Sequence, residues 1–127
     1  VILPVPGHIM LSPSSCIEAK MISRQEMSWP PGKNQAYLDF EKLPPAPLLV
    51  RSRRPGDRFH PQGAKGSKKL KDFLIDQKVP LARRQKVPLV TVGEEIIWLA
   101  GLRIAHPYRI TEQTKQVLAL EYKNKPK

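Results

Sequence analysis

The chain has one cysteine, Cys16, in 127 residues. A lone thiol excludes an intrachain disulfide, and with it a disulfide-stapled scaffold. His8, His60 and His106 are scattered, so no Cys/His set has the spacing of a zinc site. No apolar run nears the ~20 residues that a membrane-spanning helix needs. The opening Val1-Ile2-Leu3-Pro4-Val5 is too short for the core of a secretion signal and has no basic start before it. Acids are scarce as well: 11 Asp and Glu stand against 22 Lys and Arg, a formal net charge of +11. We therefore expect one domain in a reducing, cytoplasmic setting without membrane contact. The chain starts on Val rather than Met, and we expect a fragment of a longer protein.

What is abundant is hydrophobic residue, proline and positive charge. At 40% hydrophobic the chain can bury a core. Fourteen prolines argue for short strands joined by turns rather than long helices. The charge is concentrated. Residues 51–86 hold twelve Lys and Arg against three acids, Asp57, Asp72 and Asp76, and so carry +9 of the +11. Residues 1–50 balance at zero, and residues 87–127 add +2. A local positive field of this kind suits a polyanion. Nucleic acid, an anionic membrane surface and an acidic protein are the candidate classes, against the plain alternative of a solvated surface.

Periodicity and turn chemistry give the elements. Strands are expected over Val1–Val5, Ile9–Leu11, Cys16–Ile22, Ala36–Phe40 and Leu48–Ser52. The last of these would deliver Arg51 and Arg53 on one face. Pro55-Gly56-Asp57 and residues 61–66 are turns. Ser67 is the expected N-cap of a helix from Lys68 to about Asp76, with Leu70, Phe73 and Leu74 inward and Lys68–Asp72 as an i, i+4 pair. Val87–Val92 and Glu95–Ala100 flank Gly93-Glu94 as a hairpin, with the second arm central in its sheet. A final strand covers residues 117–122, and residues 124–127 are expected to fray. The fold class is α+β, mostly β, with one prominent helix near 68–76, in a single domain over residues 1–123.

The helix start carries the most specific chemistry. Acids are favoured at a helix N-terminus, yet Lys68 and Lys69 stand there. With Ser67, the glycines at 63 and 66, Lys65 and Lys71, they predict a phosphate site. Arg51, Arg53, Arg54 and Arg58 supply guanidinium forks suited to phosphates, although one of them is expected to brace a neighbour, with Arg54–Asp57 the candidate pair. Arg83, Arg84 and Lys86 form a second basic group that would extend the same face. Gly63-Ala64-Lys65-Gly66 matches the GxxG loop of KH domains only in its glycines, because nothing helical precedes it. No P-loop, nucleophile elbow or catalytic spacing organises Asp57, His60 and Asp72, and His60 reads as a loop residue. Phe59 and Tyr108 are the better candidates for base stacking, with Trp29 and Trp98 as core or loop anchors.

The string from Arg51-Ser52-Arg53-Arg54-Pro55-Gly56-Asp57-Arg58-Phe59-His60-Pro61-Gln62-Gly63 runs on through Gly66-Ser67-Lys68-Lys69-Leu70-Lys71-Asp72-Phe73-Leu74-Ile75-Asp76. It is followed by Lys78-Val79-Pro80, Pro88-Leu89-Val90, Glu95-Ile96-Ile97-Trp98-Leu99-Ala100-Gly101, and Thr111 with Thr114. This long ordered motif closely resembles the C-terminal domain of bacterial tRNA(Ile)-lysidine synthetase over residues 48–120, with residues 1–47 as a looser lead-in. The resemblance implies a parent enzyme that uses ATP and L-lysine to convert the wobble cytidine of CAU-anticodon tRNA(Ile) to lysidine. It implies that the chemistry, with ATP and Mg, resides in a PP-loop domain whose SGGxDS-type string is missing here. It places Arg51, Arg53, Arg58, Lys68, Lys69 and Lys71 at the family's basic positions. The family shows an acid soon after the arginine near position 84, where Gln85 and Lys86 stand here. The alternative is a structural module that docks on the catalytic domain or a partner subunit without touching RNA. Homodimer formation by the parent is left open.

Overall fold

Strict alternation along the chain builds the first sheet. In Ser15–Ser23 (β3), Ser15, Ile17 and Ala19 are buried while their neighbours face outward, as a half-buried strand requires. This strand pairs with Gly7–Ser12 (β2) on one side and with Gln116–Asn124 (β11) on the other, and β11 pairs in turn with Gln35–Asp39 (β4). The order is β2-β3-β11-β4, all antiparallel. The structure, a computed structural model, describes residues 1–124. Asn124 was expected to fray but is paired with Ser15; the rest of that expected tail, residues 125–127, lies outside the described residues.

The second sheet has five strands in the order β1-β5-β8-β9-β10, from Ile2–Leu3 (β1), Leu48–Arg51 (β5), Leu89–Val92 (β8), Glu95–Leu99 (β9) and Arg103–Ile104 (β10). The expected hairpin is present. Val92 and Glu95 pair across Gly93-Glu94, and Gly93 has φ +58, the left-handed conformation a two-residue hairpin turn asks for. All four residues of β8 are buried, and β9 lies between two neighbours, so its apolar run on both faces is satisfied. The two sheets share one hydrophobic cluster. Ile17, Leu38, Leu118 and Leu120 enter it from the first sheet, and Leu3, Val50, Leu89, Ile97 and Leu99 from the second. Residues 1–47 thus supply β1 to β4 and part of the common core.

A short hairpin and two small helices cover the remainder. Arg58–Phe59 (β6) pairs with Lys68–Lys69 (β7), and Leu70–Asp76 (α1) follows at once. Leu70, Phe73 and Leu74 of α1 are buried, as the i, i+3, i+4 spacing predicts. The helix ends where Gln77 and Val79 donate their amides to Phe73 and Leu74 carbonyls and Lys78 turns left-handed at φ 59. Leu81–Arg84 (α2) is a single turn after Pro80. Thr111 and Thr114 have a structural task. The Thr114 hydroxyl donates to buried Asp39 (2.8 Å) and accepts from the Thr111 amide (2.9 Å), which clips the approach to β11 onto the end of β4. The Val5–Pro6 and Trp29–Pro30 peptides are cis.

Candidate nucleic-acid interface

The basic segment is rooted in an ion pair. Arg51 leaves the end of β5 and donates twice to Asp57, Nη1 to Oδ2 at 3.0 Å and Nη2 to Oδ1 at 2.9 Å. Both side chains are mostly buried, at 15% and 12% exposure. The Arg54 amide adds a third bond to Asp57 Oδ2 at 2.8 Å, and Gly56 at φ +86 lets the chain turn back between them. Burial by itself would raise the Asp57 carboxyl. The Arg51 hydrogen bonds, the Arg54 amide and the two arginine charges outweigh it and hold the group below its ordinary value. The expected brace therefore exists with a different partner: Arg51 closes the pair, and Arg54 contributes backbone while its side chain stays in solvent. Arg53 does not share an open face with Arg51. It is half-buried, and its Nε is buried without a hydrogen-bond partner.

Next comes the β6–β7 hairpin, which overturns the expected helix start. Arg58 pairs with Lys69 and Phe59 with Lys68, and the Leu70 amide donates to the Asp57 carbonyl at 2.9 Å. This ladder holds residues 68–69 extended, so α1 begins at Leu70, and Lys69 stands at the N-cap with φ −63, ψ 132 and no side-chain cap. Ser67 caps nothing. Its hydroxyl accepts from Arg58 Nε and Nη2 (both 3.3 Å) and its carbonyl from Nη2 (3.2 Å). Lys68 bonds to Asp76 rather than to Asp72. The phosphate site expected at the helix N-terminus is not built in that form. A pair of strands now presents the cations instead.

Residues 60–67 between those strands are fixed by two histidines. The rings of His60 and His106 stack, centroids 4.9 Å apart and 25° between planes. His60 Nε2 lies 2.7 Å from the Ala64 carbonyl, the Gly63 amide donates to His106 Nδ1 at 3.1 Å, and the Gln62 amide donates to the Ile104 carbonyl at 3.0 Å. Gly63 has φ +90, so a glycine is required there. His60 is thus the loop residue its sequence suggested. Phe59 and Tyr108 are not stacking platforms, because both are buried. Phe59 packs edge-on against Phe73 at 5.3 Å, and Tyr108 lies in the core cluster. Phe73 in turn lies 5.5 Å from the guanidinium of Arg103.

The basic residues expected at the site thus separate by what they touch. Arg51 and Lys68 are in ion pairs, and Arg84 Nε donates to the Val79 carbonyl at 3.0 Å. Arg58 is oriented by Ser67 but keeps an uncancelled charge. Among the described residues, Arg54, Lys65, Lys69, Lys71 and Arg83 are exposed and have no salt bridge. The hairpin register brings Lys69 beside Arg58, with Lys65 on the connecting loop and Lys71 in the first turn of α1. Arg83 lies elsewhere, in a recess of about 540 Å³ with Lys33, Lys78 and Lys86. The sequence grouped Lys86 with Arg83 and Arg84 but counted Lys78 only as charge, without a site. Sequence reasoning passed over Lys33, which stands in the neutral part of the chain. Among the described residues, no three His, Cys, Asp or Glu side chains gather as a metal set, and no helix is long and apolar enough to cross a membrane.

Fold and site together define a class: an antiparallel α+β domain with a cationic hairpin and loop suited to a polyanion. The family is narrower. The family model described as "TilS substrate C-terminal domain" matches residues 48–121, and the chain belongs to that family. It is 34% identical over 122 residues to the tRNA(Ile)-lysidine synthase of Caldanaerobacter subterraneus subsp. tengcongensis, covering 95% of this chain and 26% of that protein. It is 38% identical over 122 residues to the enzyme of the same name from Dehalococcoides mccartyi, covering 96% of this chain and 22% of that protein. The chain thus spans about a quarter of the length of these relatives. A crystal structure of a TilS C-terminal domain superposes with TM-score 0.81 at 28% identity, covering 98% of this chain and 95% of that one. An N-terminal fragment of the phenylalanyl-tRNA synthetase beta-subunit from Pyrococcus horikoshii shares the fold at TM-score 0.58 and 22% identity, over 72% of this chain and 28% of that one.

Proposed function

We propose that this domain grips tRNA for a tRNA(Ile)-lysidine synthase. In this reading the substrate is tRNA(Ile) with a CAU anticodon. A catalytic domain outside this chain uses ATP, with Mg, and L-lysine to convert the wobble cytidine to lysidine. This domain contributes binding and no reacting group. The observation that carries the reading is the set of unpaired cations Lys65, Lys69 and Lys71 beside Arg58, on a hairpin and loop held rigid by Ser67 and the two stacked histidines. Pre-ordered cations lose little freedom when phosphates dock, so more of each contact appears as affinity.

The test is binding of this chain to CAU isoleucine tRNA and to elongator methionine tRNA at two salt concentrations. Salt-sensitive binding that favours the isoleucine tRNA assigns recognition to this domain. Equal binding makes it a backbone grip. Absence of binding at low salt rejects the reading. The double reversal Lys65→Glu with Lys69→Glu is expected to weaken tRNA binding at least tenfold and to leave the melting temperature unchanged, since both side chains are exposed.

One observation favours a second reading, docking on the rest of the enzyme. An apolar groove of about 860 Å³ is lined by Ile2, Val5, Phe40, Leu43 and their neighbours, and Ile2 and Phe40 are exposed. Phe40→Asp separates the two readings. If the domain is only a docking module, this change abolishes its contribution to the enzyme while isolated RNA affinity is negligible from the outset.

A further inference from the structure

Away from the hairpin, Trp29 is exposed to 62% although the chain has few aromatics to expose. Its ring is stacked beside that of Tyr37, centroids 6.3 Å apart and 23° between planes. The Tyr37 hydroxyl accepts from the Ser28 amide at 3.1 Å, which ties the supporting ring to the loop that carries Trp29. The same loop is closed by the Gly32 amide donating to Gln35 Oε1 at 2.9 Å and the Gln35 amide donating to the Gly32 carbonyl at 3.0 Å. An indole presented on a fixed loop is a ready platform for another flat ring.

Trp29 shares a recess with cations. It lines a recess of about 320 Å³ together with Tyr37, Lys33, Gln62 and Arg103. Lys33, Gly101 and Leu102 also line the 540 Å³ recess that holds Lys78, Arg83 and Lys86, so the two recesses adjoin across these three residues. Among the described residues, no acid lines either recess. Gly101 sets the junction. It has φ +79, and a Cβ there would lie 3.2 Å from Asn34 Oδ1, so the strand turn approaches the 28–34 loop as closely as a glycine allows. Arg103 is held by the Phe73 ring and by a 3.3 Å bond from its Nη2 to Gln77 Oε1.

We propose that this double recess binds an unpaired nucleotide of single-stranded RNA, its base stacked on Trp29 and the flanking phosphates held by Lys33 and by Lys78, Arg83 and Lys86. The inference deepens the proposed grip on tRNA and rests on it. A base inside an A-form helix has both faces covered by its neighbours, so only an unstacked base can offer one to the indole. An acidic protein would satisfy the cations but leave the aromatic platform unused.

The experiment titrates the chain with a single-stranded oligoribonucleotide, a duplex RNA hairpin and a mononucleotide, following tryptophan fluorescence. Trp98, 2% exposed, also lines the smaller recess, so circular dichroism rather than its emission checks that the variants fold, and the quench is taken as the signal that Trp29→Ala removes. Single-stranded RNA is expected to quench the wild type. Trp29→Ala is expected to lose the quench and to bind single strands about fivefold or more weakly, with duplex affinity unchanged and Trp29→Phe retaining most of the affinity. Equal losses for duplex and single strand, unchanged single-strand affinity, or a mononucleotide binding as tightly as the oligonucleotide would each overturn the inference. If Lys65→Glu with Lys69→Glu weakens tRNA binding while Trp29→Ala changes nothing, the tRNA grip stands and the stacking site falls. If no RNA binds the wild type, both fall.

Discussion

Arg51 and Asp57 show how one residue type serves opposite ends within a few positions. In the sequence Arg51 is one more cation among twelve; in the fold it is spent on a carboxylate. Asp57→Asn leaves that guanidinium half-satisfied and mostly buried, and is expected to destabilise the domain by about 2–3 kcal/mol in urea unfolding. The acid limb follows from the same pair. A carboxyl whose folded pKa is depressed contributes stability above its unfolded value of 3.8, and that contribution is lost as pH falls through the folded pKa. Urea unfolding followed by circular dichroism should therefore show wild-type stability falling more steeply with pH below 3.8 than that of Asp57→Asn, which lacks this group's contribution at every pH. His106 behaves similarly in a higher window. Desolvation, then the charges of Arg109 and His60, lower its pKa from 6.5. The unfolded chain takes up the proton more readily, so this group's contribution is intact above pH 6.5 and is lost as pH falls through the folded value. A proton on Nδ1 also removes the acceptor of the Gly63 amide. Faster exchange of that amide in NMR below pH 6.5, corrected for intrinsic rates, is the expected sign.

At the scale of elements, α1 tests what local pattern can foretell. Its inner face was legible: Leu70, Phe73 and Leu74 fall at helical spacing and are buried. Leu74→Ala should accordingly cost about 2–5 kcal/mol. The helix start was not legible. Ser67 and two lysines read as a cap and first turn, but a ladder to Arg58–Phe59, some ten residues earlier, claims Lys68 and Lys69. Pairing across a loop wins over a local propensity worth only tenths of a kcal/mol per residue. The Gly93-Glu94 hairpin was read correctly because its turn and both arms are adjacent in sequence. The base-stacking assignments failed for the opposite reason, since burial of Phe59 and Tyr108 depends on distant partners. The helix end offers a further check. Lys78 occupies a left-handed position that suits glycine, so Lys78→Gly should gain about 1 kcal/mol in urea unfolding while removing one cation from the recess with Arg83.

For the whole molecule, charge and topology set separate terms. The +9 of residues 51–86 governs how binding responds to salt. Each cation that neutralises a phosphate should contribute about 0.7–0.9 to the slope of log affinity against log salt. Lys69→Ala is therefore expected to lower the slope by about one unit's share and to weaken every RNA alike, as measured by titration over a salt series. Stability, in contrast, rests on the two sheets and their common core. The first sheet has an arrangement with a further consequence. Its strand order is β2-β3-β11-β4, so the last strand in sequence fills an interior place, zipped along nine residues to β3 and five to β4. During synthesis, β3 and β4 must wait, edges open, until residues 116–124 have cleared the ribosome. The cationic segment emerges earlier, so the nascent domain carries its charge before its first sheet is closed. A premature stop ahead of Gln116 would leave β3 and β4 without their shared partner beside a strongly basic segment, and quality control would meet this region as an aggregation hazard rather than as a weakened binding domain.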